Sequence, residues 1–317
     1  LNQLYWVAYY ADIISAEIAT IYFNQTSAAS LYGLEDFRGV CDMLDLESSQ
    51  ERAHINAFKT VGEAVEAELF GERVFTYEMR GPFAQTVTFA DTDRWRDRVR
   101  RMLLRTFGVL SAQNAFVGCQ YFLVRGLRTL LGKIVQHRLA SFVRTFDDPT
   151  LAPVPTQISD FHFQDESYHF NSSTILSHDV LKTLPTPTRG ERFVMNRTIE
   201  GAQRDLRPYC VVGDGVNWHG PQTFDVVYRV LRSKLFAMDP REALEMMRHV
   251  YTEESDGLVQ AQATHATAVA SYRQYLDGID YLTQANREVR HADGLDVAGV
   301  LKQNRRAWAR FRSRTEA

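Results

Sequence analysis

Cysteine is scarce in this chain, and the three present, Cys41, Cys119 and Cys210, are scattered with no Cys-x-x-Cys pair. That argues against a disulfide framework or a thiolate zinc site and makes a reducing, cytoplasmic setting the expectation. Neither sign of charge dominates: 36 Lys and Arg face 39 Asp and Glu, a formal net charge of -3. Such balance points to neither nucleic acid nor an anionic membrane as a partner. Charge interrupts every apolar run before it reaches a membrane-spanning length. Nucleotide chemistry has no foothold either, since Gly213-Asp-Gly215 is a mere turn and nothing resembles a flavin or nicotinamide site. No internal repeat marks a solenoid. The chain opens at Leu1 rather than Met, so a preceding segment is expected. One further absence is local: no Asp or Glu occurs between Asp97 and Asp147.

What is present reads as helix. Apolar and aromatic residues run from about Gln3 to Ala29 on nearly every side, as in a helix at a bundle centre, with Gly33 as its stop. A second helix begins at Leu34 or Asp45 and runs to Leu69, ended by Gly71. A long helical stretch from Arg94 to Phe146 carries Gly108, Gly118, Gly126 and Gly132 as kinks or points of close approach. After a loop containing Pro149, Pro153 and Pro155, another helix spans roughly Ser159 to Ser177. Leu184 to Pro221 reads as a long connection. Helices resume over Thr223–Phe236, Pro240–Tyr251 (with Asp239 as cap) and Gly257–Val289. The basic tail from Val297 reads as a terminal helix docked on the surface, in preference to a partner-binding element. The fold expected is all-α: a four-helix bundle over residues 1–180, with residues 181–317 as a connection and additional C-terminal helices packed on the same domain.

Chemistry concentrates in two motifs. Residues 162–169 read His162-x-x-Asp165-Glu166-x-x-His169, and Glu51-x-x-His54 lies upstream. Positions separated by three, four and seven residues share one face of a helix, so His162, Glu166 and His169 point one way, as do Glu51 and His54. Two helices that each present a carboxylate and an imidazole are the mark of a carboxylate-bridged dinuclear metal site in a bundle. Hard carboxylates hold ferric iron and bridge metals, while neutral imidazoles complete the coordination and leave positions open. Glu17, set among Ile13, Ile14, Ile18 and Ile21, is costly as a buried carboxylate unless paired or bound to a metal. Lone Glu-x-x-His pairs are common on solvated helices. Two of them together with Glu17 and His162 are not.

The combination resembles the p-aminobenzoate N-oxygenase family of ferritin-like, non-haem diiron oxygenases, over about residues 1–180. That resemblance implies two irons, with Glu17, Glu51, His54, His162, Glu166 and His169 as ligands; the acid-free third helix leaves a manganese/iron or single-iron centre as the alternative. The resemblance implies that Asp165 orients a ligand histidine, and that Asp165 or Glu47 supplies protons. It also implies N-oxygenation or hydroxylation of a small organic substrate, an external electron donor such as a reductase or ferredoxin, and a homodimer. The sequence departs from the family in two places. Gln50 stands where an acidic residue usually precedes the first glutamate. The family also places a glutamate on the third helix, and the matching register here falls at Val135, flanked by Gln136 and His137. His137 or Gln136 fills that position, or Gln113, Asn114 or Gln120 does so from further along the helix. The remaining reading is that one metal binds firmly and the second weakly or not at all. His137 is the first choice.

Overall fold

The structure, a computed structural model, describes residues 2–75, 95–144, 153–207, 210, 219–253 and 255–315. Among these residues the chain is all helix: α1 (Asn2–Leu31), α2 (Arg38–Phe70), α3 (Trp95–Gln113), α4 (Ala115–Arg144), α5 (Pro153–Thr174), α6 (Leu181–Thr183), α7 (Arg189–Leu206), α8 (Phe224–Arg232), α9 (Pro240–Thr252), α10 (Asp256–Leu276), α11 (Gln284–Arg287) and α12 (Val297–Thr315). No helix is long and apolar enough to cross a membrane among the described residues.

The four long helices α1, α2, α4 and α5 form the bundle. α1 packs on α2 and α4, and α5 packs on α4 and α2. The buried face of α2 reads Cys41, Leu44, Glu47, Ser48, Glu51, Phe58, Gly62, Glu66 and Phe70. That is helical spacing, with acids placed where apolar side chains are the rule. α2 ends at Gly71, whose φ of 71° is left-handed and whose N–H reaches the Ala67 carbonyl at 3.0 Å. Gly33, by contrast, is not among the residues with positive φ, and α1 closes through ordinary turn bonds such as Tyr32 N–H to Ala28 O.

The stretch expected as one kinked helix is two. Its break falls at Asn114, whose side-chain oxygen accepts from Val117 N–H at 3.0 Å and so starts α4. Three of the four glycines are instead points of close approach. A Cβ on Gly108, Gly118 or Gly126 would lie within 3 Å of Tyr22, Ser30 or Tyr275 respectively, whereas one on Gly132 would meet nothing within 4 Å. α5 starts earlier than expected, at Pro153, because a proline in the first turn forfeits an N–H that has no partner there anyway. A π-helical turn, Ile175–Val180, continues it into α6.

The region expected as a bare connection contains α7. Its start is a capping box: Thr188 accepts from Glu191 N–H, and the Glu191 carboxylate accepts from Thr188 N–H. Met195, Ile199, Gln203 and Leu206 form its buried face. The expected helix over 257–289 also divides, since α10 stops at Leu276 before Gly278 (φ 77°) and α11 is a separate short turn. α10 packs on α4, and α12 lies against α9 with Val300, Leu301, Asn304, Trp308 and Phe311 buried, in keeping with a docked terminal helix.

Candidate metal centre

Six acidic and imidazole side chains converge at mid-bundle from three helices: Glu17 from α1, Glu51 and His54 from α2, and His162, Glu166 and His169 from α5. Glu17, Glu51, His162 and His169 are buried. His162 Nε2 lies 2.7 Å from Glu17 Oε1 and 3.3 Å from Glu166 Oε1. His54 Nδ1 lies 3.1 Å from Glu51 Oε2 and 3.4 Å from Glu17 Oε2. His169 Nδ1 lies 3.2 Å from Glu51 Oε1 and 3.3 Å from Glu166 Oε1. Two overlapping donor groups result, Glu17–His54–His162–Glu166 and Glu51–Glu166–His169. Within each, one ligand atom per residue lies within 4.8 Å of every other. Glu166 belongs to both.

These residues fit a metal. Glu17 Oε2 is buried and accepts no hydrogen bond; the 3.4 Å approach of His54 Nδ1 is only an ionic contact. An orphaned carboxylate oxygen beside neutral-capable imidazoles is costly without a cation. The histidines are also supported from behind. His54 Nε2 meets Asp165 Oδ2 at 3.0 Å, and His169 Nε2 meets Gln50 Oε1 at 3.3 Å. An acceptor on Nε2 holds the proton there and leaves the Nδ1 lone pair facing the carboxylates. The arrangement is crossed: the residue preceding each glutamate supports the histidine of the other motif. The departure at Gln50 therefore retains a positioning contact while losing a charge.

Electrostatics follow from the crowding. Burial alone would lower the imidazole pKa values, but the neighbouring carboxylates, through their charge and their hydrogen bonds, outweigh it. His54, in ionic contact with Glu17 and hydrogen-bonded to Glu51, is held up at about 11. His162 beside Glu17 and Glu166 stands at about 9, and His169 beside Glu166 and Glu51 at about 10. Burial would raise Glu166, yet hydrogen bonds from His162 and His169 hold it well below the usual carboxylate range. Burial first, and then the Glu17 charge, push Glu51 up. Without a metal, protons on the imidazoles balance the carboxylates. Because these histidine values lie above the ordinary ~6.5, the stability they contribute is complete below that pH and is lost as pH climbs through about 9 to 11. A divalent ion must displace those protons. Loading at pH 7 is therefore expected to release up to about three protons, and affinity to rise with pH. Titration calorimetry in buffers of different ionisation enthalpy measures this, and a proton count of zero would contradict the assignment.

α4 contributes a cation to the bundle interior, not a carboxylate. Arg125 is buried, and all five of its N–H groups are used. It donates to Ser173 Oγ (2.7 Å), Asn24 Oδ1 (2.9 Å), Glu47 Oε2, the His169 carbonyl (3.0 Å) and Ser172 Oγ (2.9 Å). Glu47, expected as a proton source, is taken up here, accepting from Arg125 and from the Ser172 hydroxyl. Sequence reasoning missed Arg125, although a lone charge between Phe122, Leu123, Val124 and Leu127 is the same signal that exposes Glu17. Among the candidates for the third-helix position, Asn114 caps α4 and bonds Glu191, Gln120 is buried beside Tyr281, and Gln113 is exposed. His137 and Gln136 lie on α4, but their side chains are outside the described residues.

On the far side of the cluster, Phe58 is fully buried, with its ring 5.0 Å from that of His162 and 6.3 Å from that of His54. Tyr10 stacks behind it at 4.8 Å. The sequence model of the CylC-like family, described as acyl halogenase CylC-like, matches residues 1–97 and 84–312. No curated protein and no solved structure gives a significant match.

Proposed function

This chain belongs to the CylC-like acyl halogenase family, and from that premise we propose that it is an oxygen-dependent, non-haem iron enzyme with two metal positions that oxidatively halogenates an acyl substrate. The observation that carries the reading is the convergence of three glutamates and three histidines from α1, α2 and α5 on two donor groups sharing Glu166. Glu17, Glu51, His54, His162, Glu166 and His169 are the ligands in this reading. The motif resemblance led to N-oxygenation of an amine, and that product draws no support from the family matched.

Bound iron would supply the redox capacity to activate dioxygen. The protein's share is to hold and insulate that chemistry. Asp165 and Gln50 hold the ring orientation of His54 and His169 through Nε2. Phe58 and Tyr10 close the apolar side and keep water from the rings of His54 and His162. Asp165, 42% exposed at its side chain, offers Oδ2 as a proton relay between His54 Nε2 and solvent. The overall change breaks a substrate C–H bond and forms a carbon–halogen bond, with halide consumed and dioxygen leaving as two waters. Two electrons and three further protons come from outside, so an external donor such as a reductase or ferredoxin is required.

The test is anaerobic ferrous loading, metal analysis, and then oxygen with an acyl substrate and a chemical reductant, with and without chloride. Retained iron and a chloride-dependent product heavier by chlorine minus hydrogen are expected in mass spectra. Iron with only an oxygen-inserted product would return the reading to an oxygenase. Failure to retain any metal would sink both.

A further inference from the structure

We infer that the two metal positions are unequal: the Glu17–His54–His162–Glu166 position binds its ion tightly, the Glu51–Glu166–His169 position binds weakly, and Gln50 carries much of the difference. This rests on the metal-binding reading above and assigns each residue its share.

Donor number is the first ground. Among the described residues one position has four side-chain donors and the other three, with Glu166 common to both. α4 does not make up the shortfall among the described side chains. α4 and α5 run antiparallel, since Arg125 bonds Ser173 while Lys133, further along α4, lies over the Phe170 ring. One heptad on from Arg125, on the same face of α4, stands Gly132, which has no side chain and where an added Cβ would meet nothing within 4 Å. The guanidinium of Arg125 is neutralised by Glu47 and bonds the main-chain carbonyl of His169, so it holds that histidine in place without adding a donor.

Support behind the histidines is the second ground. His54 rests on a carboxylate, Asp165, whereas His169 rests on a neutral amide, Gln50. Both acceptors keep the proton on Nε2, but only the carboxylate adds negative charge and makes the metal-facing nitrogen a stronger base. Because the supports are crossed, Gln50 on α2 tunes the histidine of α5, and Asp165 on α5 tunes the histidine of α2.

Anaerobic titration with cobalt(II), followed by its visible ligand-field bands, separates the possibilities. Wild type is expected to fill in two steps differing by about 10- to 100-fold in affinity. Gln50→Glu, nearly isosteric, should tighten the second step by about 10-fold and leave the first unchanged. Asp165→Asn should weaken the first step by a similar factor and bring the two together. A wild type that holds one cobalt, with the second entering only in Gln50→Glu, would also support the inference. Two equal steps in wild type, or a second step unmoved in a folded Gln50→Glu protein, would overturn it. Should Gln50→Glu fail to fold, an unweakened first step in Asp165→Asn would overturn it alone. Wild type binding no cobalt at all is a different outcome, which removes the metal reading itself.

Discussion

Glu166→Ala is expected to abolish metal retention. Glu166 is the one side chain belonging to both donor groups, so its loss leaves three donors in one and two in the other. It also faces His162 and His169 at 3.3 Å, and each of those imidazoles loses a carboxylate that organises it. Removing a residue that merely supports a ligand typically costs 10- to 100-fold in affinity, so losing a shared ligand should exceed ~100-fold. Metal analysis after desalting measures it, with Glu166→Gln as the volume-matched control. Near-stoichiometric metal in the folded Ala variant would refute the ligand assignment. The same substitution should leave the helices in place, because Glu166 makes its contacts to His162 and His169 on its own helix.

Phe58→Ala should be the most damaging single change to stability near the site. The ring is fully buried, stacked on Tyr10 at 4.8 Å and set edge-on to His162. Emptying such a position costs roughly 3–5 kcal/mol, the transfer of the ring plus a cavity that rigid neighbours cannot close. For a protein of this size that corresponds to a fall in Tm of roughly 4–8 °C. Two of those neighbours are His54 and His162, so the cavity also frees ligand rings, and metal affinity should drop with stability. Phe58→Leu keeps most of the volume and should recover most of both. Differential scanning calorimetry decides the matter: a Tm within about 2 °C of wild type would mean that Phe58 does not hold the cluster's apolar wall.

Helical periodicity and motif spacing carried the sequence reading a long way. His162, Glu166 and His169 share one face of α5, and Glu51 and His54 one face of α2, because residues three, four and seven apart on a helix lie together. Helix ends with a local chemical cause were equally legible, as at Gly71 and Asp239. Boundaries differ from the periodicity where a side-chain cap sets the helix start. The Thr188–Glu191 capping box sits among prolines and glycines, and Asn114 starts α4 while Gly108, Gly118 and Gly126 serve close packing. The role of Arg125 is not legible along the chain, because its partners, Asn24, Glu47, His169, Ser172 and Ser173, sit on three other helices.

By itself, then, the sequence determined an all-α chain with a Glu/His cluster suited to metal, since both follow from local spacing along a helix. Only the tertiary structure decided how the donors divide into a four-residue and a three-residue group sharing Glu166. It alone showed that Asp165 and Gln50 each support the other motif's histidine, and that α4 brings a paired arginine into the bundle interior. The physical reason is that these contacts run between helices. Their geometry is set by how α1, α2, α4 and α5 cross, and no interval along the chain encodes that.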